Sequence, residues 1–216
     1  MKGRYLLTGL LALALTMGWC GSGYAKPSTE PSVSTVKNLI RVPLARQNAN
    51  YTCGVAALQS ILGYYNIDKR LDVLSAEVKP DQENGTNYLT MASFAKSLGF
   101  DVSTRTNMTL DELKRHVDQK KPILLAIQAW ADSKSSYSSN QNEDGHYVVA
   151  IGYDDKNFYF MDPSTLGHYT YIPTEEFVSR WHDFDSYSNQ TLIRFGMILT
   201  KPLTTPYNPD AITPLD

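Results

Sequence analysis

The sequence predicts an α+β fold, in which helices come first along the chain and an antiparallel sheet follows. Leu58, Ile61, Leu62 and Tyr65 recur at i, i+3, i+4 and i+7, which is the spacing of one helix face, and this helix begins near Cys53. The second half of the chain instead alternates turns with runs of β-branched, aliphatic and aromatic residues. The change of pattern places the helices before the sheet.

The other helices of the first half are predicted from the residues at their ends. Gly99 follows an apolar stretch at the position where a helix commonly ends. Thr109 and Glu112 have the spacing of a capping box, which starts a helix. The predicted helices cover residues 53 to about 65, 71–78, 88–98 and 109–119, and a strand covers residues 100–104.

The second half is predicted to form a sheet of five strands. The residues at 154–156 make a tight connection between two of these strands, so the two are expected to pair as a hairpin. A short helix at residues 174–181 interrupts the series. The predicted strands cover residues 122–129, 147–153, 157–161, 169–172 and 191–200.

Residues 1–25 are predicted to be a Sec-type signal peptide. Lys2 and Arg4 form its positive end, an apolar stretch follows, and small residues precede the expected cleavage after Ala25. The apolar stretch is shorter than the ~20 residues of a membrane-spanning helix. We therefore expect an exported protein, periplasmic or secreted, with no membrane span. Lipid anchoring at Cys20 is an alternative that the bulky neighbour Trp19 disfavours.

The rest of the chain is predicted to be one domain between two irregular ends. Residues 26–38 form a flexible lead-in that is rich in Pro, Ser and Thr, and residues 202–216 form a Pro-rich tail. The domain therefore covers residues 39–201. The net charge of the full sequence is −2, and no basic run or basic-aromatic stripe occurs. This composition argues against a nucleic-acid partner.

Cys53 is the only cysteine left once the predicted signal peptide is removed. Unpaired thiols are unusual in exported proteins, where cysteines are normally found in disulfides. At the N-terminus of a helix the macrodipole favours a thiolate, which makes Cys53 a candidate nucleophile. The alternative is an inert, buried cysteine that packs as a small apolar residue.

His146 is the strongest candidate for the base that a cysteine nucleophile needs. It follows Gly145 and leads directly into the apolar strand at 147–153, so a rigid element would hold its ring. The other three histidines have simpler explanations. His116 lies on a charged helix face and is expected to be exposed, His168 lies in a turn, and His182 follows a helix.

Asp162 and Gln47 are candidates for the two remaining roles. The predicted hairpin brings the outer ends of its strands together, which places Asp162 beside His146, where a carboxylate could orient the imidazole. Gln47 precedes Cys53 by six residues and offers an amide donor for an oxyanion. Asp162 also has an ordinary explanation, because Asp is favoured at the start of turns.

These residues resemble the papain-like cysteine peptidases. Gln47, the Cys-Gly-x-Ala-x-Leu pattern that starts at Cys53, the Gly-His-Tyr-Val-Val run at 145–149 and the pair Asp162-Pro163 carry the resemblance. More narrowly, they resemble the stand-alone form of the double-glycine-leader (bacteriocin-processing) peptidases, cysteine peptidase family thirty-nine. The segment at 85–100 is similar to that family's middle helix.

The resemblance implies a papain-like fold, with an N-terminal helical half packed on a C-terminal antiparallel sheet. It implies Cys53 as nucleophile, His146 as base, Asp162 as the orienting group and Gln47 in the oxyanion hole. The expected substrate is a peptide or protein. The reaction is expected to need neither a cofactor nor a metal. Family members that process leaders usually carry an acidic residue just before the cysteine and are fused to a membrane transporter, whereas Thr52 precedes Cys53 in this sequence.

Two other functions fit the same residues. A related acyl-transfer enzyme, such as an amidase, a deamidase or a transglutaminase-like protein, would share the triad but not the substrate. A non-catalytic papain-like binding module would share only the fold. The polar loop between Trp130 and Gly145 precedes His146 directly, so we expect residues 131–144 to border the cleft and gate the entry of substrate.

Overall fold

The computed structural model describes residues 31–36, 38–130, 137, 142–202, 205, 207–212 and 214. Residues 31–216 belong to one structural unit. The predicted signal peptide lies outside the described residues, as does most of the predicted lid at 131–144.

The predicted helices are confirmed, and none of their ends shifts by more than one residue. The first, α1, begins at Cys53 as expected. At the start of the fourth, the capping box is formed, because Thr109 N donates to Glu112 Oε2 at 2.7 Å and Glu112 N donates to Thr109 Oγ1 at 3.1 Å. The helices are α1 (Cys53–Tyr64), α2 (Leu71–Val78), α3 (Tyr88–Ser97), α4 (Leu110–Asp118) and α5 (Thr174–Arg180).

The strands of the described residues form two antiparallel sheets. They are β1 (Asp101–Arg105), β2 (Ile123–Gln128), β3 (Gly145–Tyr153), β4 (Asn157–Met161), β5 (Thr170–Pro173), β6 (His182–Asp185), β7 (Gln190–Ile193) and β8 (Gly196–Thr200). The larger sheet has the order β1-β8-β2-β3-β4-β5, and the smaller one pairs β6 with β7. Because β3 and β4 form the expected hairpin, their outer ends meet.

Helices pack on both faces of the large sheet. Helices α1, α2 and α3 contribute to the apolar core on one face, and α5 contributes Phe177 to the core on the other. The central strand β2 alternates between these cores, with Leu124 facing the first and Leu125 the second, and all of its residues are buried. Burial on both faces explains why this strand has a continuous apolar sequence rather than an alternating one.

The predicted single strand at 191–200 is wrong. Arg194 has a φ of 46°, a left-handed conformation that breaks an extended chain. The segment therefore divides into β7, which pairs with β6, and β8, which pairs with β1 and β2. Strand β6 was not predicted, because its His-Asp-Phe-Asp sequence has no run of apolar residues.

The two irregular ends differ in how they pack. Within the predicted lead-in, Val36 is buried in the core, and just after the lead-in Ile40 N donates to Ile151 O on β3 at 2.7 Å. The described part of the tail beyond residue 201 contains neither helix nor strand, and Tyr207 packs against the core. Within the described ranges, no helix has the length and apolarity that crossing a bilayer requires.

Candidate active site

Cys53 is the first residue of α1 and lies against the sheet. Its exposed fraction is 6%. The next residue, Gly54, allows the close approach, because a Cβ there would lie 2.7 Å from Thr86 Cβ and 2.9 Å from Tyr147 Cδ2. Both distances are shorter than real Cβ contacts. The glycine therefore lets the helix bring Cys53 up to strand β3.

The N-terminus of α1 has no side-chain cap. Thr52, at the N-cap position, bonds instead to the preceding loop, with its hydroxyl donating to Asn48 Oδ1 at 3.0 Å and accepting from Ala49 N at 3.2 Å. The first N–H groups of the helix thus have no acceptor from this side chain. Their partial positive charge stabilises negative charge at Cys53.

His146 is the second residue of β3 and is held by Asp162. The His146 Nε2 atom lies 2.8 Å from Asp162 Oδ1, and the histidine side chain is 2% exposed. Asp162 follows the last residue of β4. Its Oδ1 also accepts hydrogen bonds from Ser164 N and Ser164 Oγ, each at 2.8 Å, and its Oδ2 accepts one from Thr165 Oγ1 at 3.1 Å. The turn after β4 therefore fixes the carboxylate that meets the imidazole.

The charges of this pair follow from its hydrogen bonds. Burial by itself lowers the pKa of His146, but the hydrogen bonds with Asp162 and Cys53 outweigh burial and raise the pKa to about 9. Burial alone would raise the pKa of Asp162, but the hydrogen bonds from His146 and Ser164 hold it at about 2. His146 is therefore protonated at neutral pH. Since Nε2 contacts Asp162, Nδ1 is the ring nitrogen that faces Cys53.

Gln47 lies beside this group, but its amide points elsewhere. Its backbone N–H donates to Pro163 O at 3.0 Å, which ties its loop to the turn after β4. Its Nε2 donates to Ala49 O at 3.0 Å, and its Oε1 is buried without a partner among the described residues. The structure thus brings Cys53, His146 and Asp162 into one chain of contacts, and it places Gln47 next to them with its amide turned to the Ala49 carbonyl.

The other histidines lie away from Cys53. His116, which we expected to be exposed, is half-buried on α4. Its Nδ1 atom is buried and has no hydrogen-bond partner among the described residues. Burial and the nearby Lys121 lower its pKa. His168 is exposed, and His182 is buried in β6. None of the three lines the cavity to which Cys53 belongs.

A cavity of about 260 Å³ contains Cys53 and His146 in its wall. The wall also contains the carboxylates Glu83, Asp183 and Asp185, and no Lys or Arg of the described chain lines it. A second cavity of about 600 Å³ lies on the side of Gln47. Across the described ranges, no group of three or more His, Cys, Asp or Glu is arranged to hold a metal ion.

Two residues of this site had no predicted role, since Trp130 was named only as one end of the polar loop and Asp183 was not named. The Trp130 ring lies 4.6 Å from the His146 ring, centroid to centroid, and its side chain is 54% exposed. The pairing of β2 with β3 was the available signal, because Ile127 is paired with His146 and Trp130 comes shortly after it. The other missed residue is Asp183, on the unpredicted strand β6, for which the sequence offers no signal.

A helix N-terminal cysteine that faces a histidine held by a carboxylate is an arrangement typical of papain-like cysteine peptidases, and related acyl-transfer enzymes share it. The chain belongs to the Peptidase_C39 like family, whose sequence model matches residues 39–189. Family membership identifies the chain as a cysteine-type peptidase, which is a hydrolase. The predicted family and fold class are thereby confirmed.

Several solved structures have a fold similar to that of this chain. A double glycine motif protease from an AMS/PCAT transporter, in complex with a leader peptide, is 21% identical, covers 76% of this chain and 94% of its own, and has a TM-score of 0.54. The peptidase domain of Streptococcus ComA, a bifunctional ABC transporter involved in quorum sensing, is 20% identical over 74% and 97% of the two chains, with a TM-score of 0.54.

A third similar structure is a Bacillus anthracis protein described as a C39-like peptidase. It is 18% identical, covers 78% of this chain and 98% of its own, and has a TM-score of 0.58. A search of curated proteins found no significant match. At these identities the solved structures establish the shared fold.

Proposed function

We propose that this chain is an exported peptidase that cleaves peptide bonds with Cys53 as nucleophile, His146 as general acid and base, and Asp162 as the group that orients His146. The observation that carries the proposal is that Cys53 and His146 share one cavity wall while His146 Nε2 lies 2.8 Å from Asp162 Oδ1. A nucleophile, a base within hydrogen-bond reach and a third group that orients the base are the features of covalent acyl transfer.

The first half of the reaction forms an acyl-enzyme. The Cys53 thiolate attacks the carbonyl carbon of the scissile peptide bond, and the carbonyl oxygen becomes an oxyanion. When the C–N bond breaks, the protonated His146 gives its Nδ1 proton to the leaving amine. The products of this step are a thioester on Cys53, a free amine and a neutral imidazole. Asp162 holds the ring in place through Nε2.

The second half releases the acyl group. The neutral His146 takes a proton from a water molecule, and the hydroxide that this creates attacks the thioester carbonyl. The carbon–sulfur bond then breaks, which releases a carboxylic acid and regenerates the Cys53 thiolate beside the imidazolium. The low exposure of Cys53 and His146 strengthens the electrostatic contacts of both steps.

Gln47 completes the oxyanion hole together with the Cys53 N–H. The amide nitrogen of Gln47 carries two hydrogens, and one of them is directed to Ala49 O. To offer the other hydrogen to the oxyanion, the side chain has to turn from Ala49 toward Cys53. The loop of Gln47 is fixed at Pro163, so this rotation does not require the backbone to move.

A peptide or protein is the substrate class that the site favours. The fold neighbour from the AMS/PCAT transporter is in complex with a leader peptide, which supports a peptide substrate for this chain. Thr52 replaces the acidic residue expected before the cysteine of leader-processing members, and its hydroxyl is engaged by the loop at Asn48. We therefore propose peptide cleavage without assigning a double-glycine leader. The exported location rests on the signal-peptide pattern of residues 1–25.

Digestion of a peptide library tests this proposal. The residues from 26 onward, and the same protein with Cys53→Ala, would be incubated with the library, and mass spectrometry would identify the products. New peptide termini with the wild-type cysteine and none with Cys53→Ala would support peptide-bond cleavage. Deamidated or cross-linked peptides without new termini would instead indicate an amidase, a deamidase or a transglutaminase-like enzyme.

A further inference from the structure

The side chain of Gln128, on β2, connects β6 to the turn that leads into β3, next to the proposed catalytic pair. Gln128 is the last residue of β2 and is 2% exposed. Its Nε2 donates to Asp183 Oδ1 on β6 at 3.0 Å, and its Oε1 accepts from Asp144 N at 3.1 Å. In the sheet, Gln128 is paired with Gly145, the first residue of β3. The amide thus ties the small sheet to the residues that lead into His146.

Asp183 packs directly against Gly145. A Cβ on Gly145 would lie 2.5 Å from Asp183 Oδ1 and 2.8 Å from Asp183 Oδ2. The carboxylate is pinned in place, because Oδ1 also accepts from Phe184 N at 2.8 Å. Asp183 therefore fills the space beside Gly145, and the chain passes from this contact directly into His146.

Asp183 faces several charged or titratable groups. His146 and Tyr147 on β3 interact with it electrostatically, and so does Asp185 on its own strand. Glu83 and Cys53 lie in the wall of the same cavity. His146 is the only cation among these groups, so an ionised Asp183 favours the imidazolium.

We propose that Asp183 is a positioning residue of the active site, which acts with Gln128 to fix the backbone at Gly145 and so to hold the charged His146 ring against Cys53. This inference rests on the proposed function of Cys53 and His146. Strand β6 thereby has a role in the reaction, because it supplies the carboxylate that packs against the first residue of β3. In the described part of the chain, the Asp183 carboxylate accepts hydrogen bonds from Gln128 and Phe184 rather than from Cys53 or His146.

The support that Asp183 gives depends on its charge. Burial raises the pKa of Asp183 to about 7, although the hydrogen bonds from Phe184 N and Gln128 and the charge of His146 act in the opposite direction. The carboxylate therefore ionises as the pH rises through the neutral range. Hydrogen bonds to an ionised acceptor are shorter and stronger than those to a neutral one. Above this pKa, the hydrogen bond from Gln128 Nε2 to Asp183 becomes stronger and the negative carboxylate stabilises the His146 imidazolium.

The rate of Cys53 alkylation by iodoacetamide, measured from pH 5.5 to 9, tests this proposal without requiring turnover. In the wild type we expect the rate to rise with a midpoint near pH 7. Asp183→Asn keeps an oxygen that accepts from Gln128 but removes the charge, so this step should disappear. Asp155→Asn, a loss of one exposed acid in the turn between β3 and β4, should keep the step. An unchanged profile in Asp183→Asn would overturn the proposal.

A second pair of variants tests the packing contact independently of charge. Gly145→Ala should lower the alkylation rate by about tenfold or more, since the new Cβ displaces the backbone that carries His146. In an Asp183→Ala background, which removes the opposing carboxylate, the same change should cost much less. Equal losses in both backgrounds would show that Asp183 does not position Gly145.

Peptide cleavage, where it is observed, separates positioning from substrate binding. Asp183→Asn should lower kcat with little change in KM, because the ring of His146 is held less firmly while the cavity keeps its shape. A raised KM with unchanged kcat would show that Asp183 binds the substrate and would overturn the proposal. If Cys53→Ala proves as active as the wild type, the proposed function fails, and the alkylation profiles still report on Asp183.

Discussion

His146 Nε2 lies 2.8 Å from Asp162 Oδ1, although the register of the β3–β4 hairpin does not place the two residues directly opposite each other. Val149 is paired with Met161, so Asp162 lies opposite Val148, two residues from His146 along β3. The contact is therefore diagonal. It depends on the turn after β4, where Ser164 donates two hydrogen bonds to the same carboxylate oxygen.

Asp162→Asn should reduce turnover less than Asp162→Ala. An amide oxygen can still accept the hydrogen bond from His146 Nε2 and keep the ring oriented, whereas alanine leaves the ring without a partner. Steady-state kinetics on both variants, with circular dichroism to check the fold, would measure the difference. Equal losses would mean that the negative charge, and not the orientation, is what the reaction needs.

The contribution of Asp162 to stability should disappear in acid. Its pKa of about 2 in the folded state lies below the ordinary value of 3.8, so the folded protein favours the ionised form. The stabilisation is complete above about pH 4 and is lost as the pH falls toward 2. Asp162→Asn should thus lower Tm at pH 6, and this difference should narrow at pH 3. A difference that stays constant with pH would contradict the pKa assigned to Asp162.

Gly54→Ala should lower kcat/KM by more than its loss of stability explains. The added Cβ meets Thr86 and Tyr147 and would push the start of α1, with Cys53, away from β3. Overpacking of this kind costs about 1–3 kcal/mol of stability. Gly63→Ala is the matched control, because its Cβ would lie 2.7 Å from Pro43 Cγ at the opposite end of the same helix. Both variants should melt earlier, and only Gly54→Ala should lose kcat/KM measured on folded protein.

Tyr137 should stabilise the fold through its contacts with Ala129 and Arg180. Tyr137 is 5% exposed, its hydroxyl donates to Ala129 O at 3.0 Å, and Arg180 lies over its ring at 4.1 Å. Tyr137→Ala should cost about 3 kcal/mol or more, and Tyr137→Phe only about 1 kcal/mol. Chemical denaturation would measure both. No loss in Tyr137→Ala would contradict this stabilising role.

The sequence predicted the elements whose signals are local. A helix face that repeats through Leu58 and Leu62 and the capping box at Thr109 need no tertiary information. The contact of His146 with Asp162 could be anticipated for the same reason, because one short turn joins their strands. Local signals of this kind predicted α1 and α4, whereas α5 lies after β5, within the series of strands.

The elements that sequence reasoning missed depend on distant contacts. Strand β6 has no apolar run, and its Asp183 matters only because the fold brings it against Gly145 and Gln128. The break at Arg194 separates two strands that belong to different sheets, because β7 pairs with β6 and β8 pairs with β1. Trp130 contacts His146 through the pairing of β2 with β3. A single sequence does not specify such pairings.

The measurement that most directly tests the assignment of Cys53 and His146 is kcat/KM for peptide cleavage by His146→Ala beside His116→Ala. General acid–base catalysis contributes about 10² to 10⁴ in rate, so His146→Ala should lose at least about 100-fold. His116→Ala, which changes a histidine on α4 outside the cavity of Cys53, should keep the wild-type value. Retained cleavage in His146→Ala, or a comparable loss in His116→Ala, would contradict the assignment.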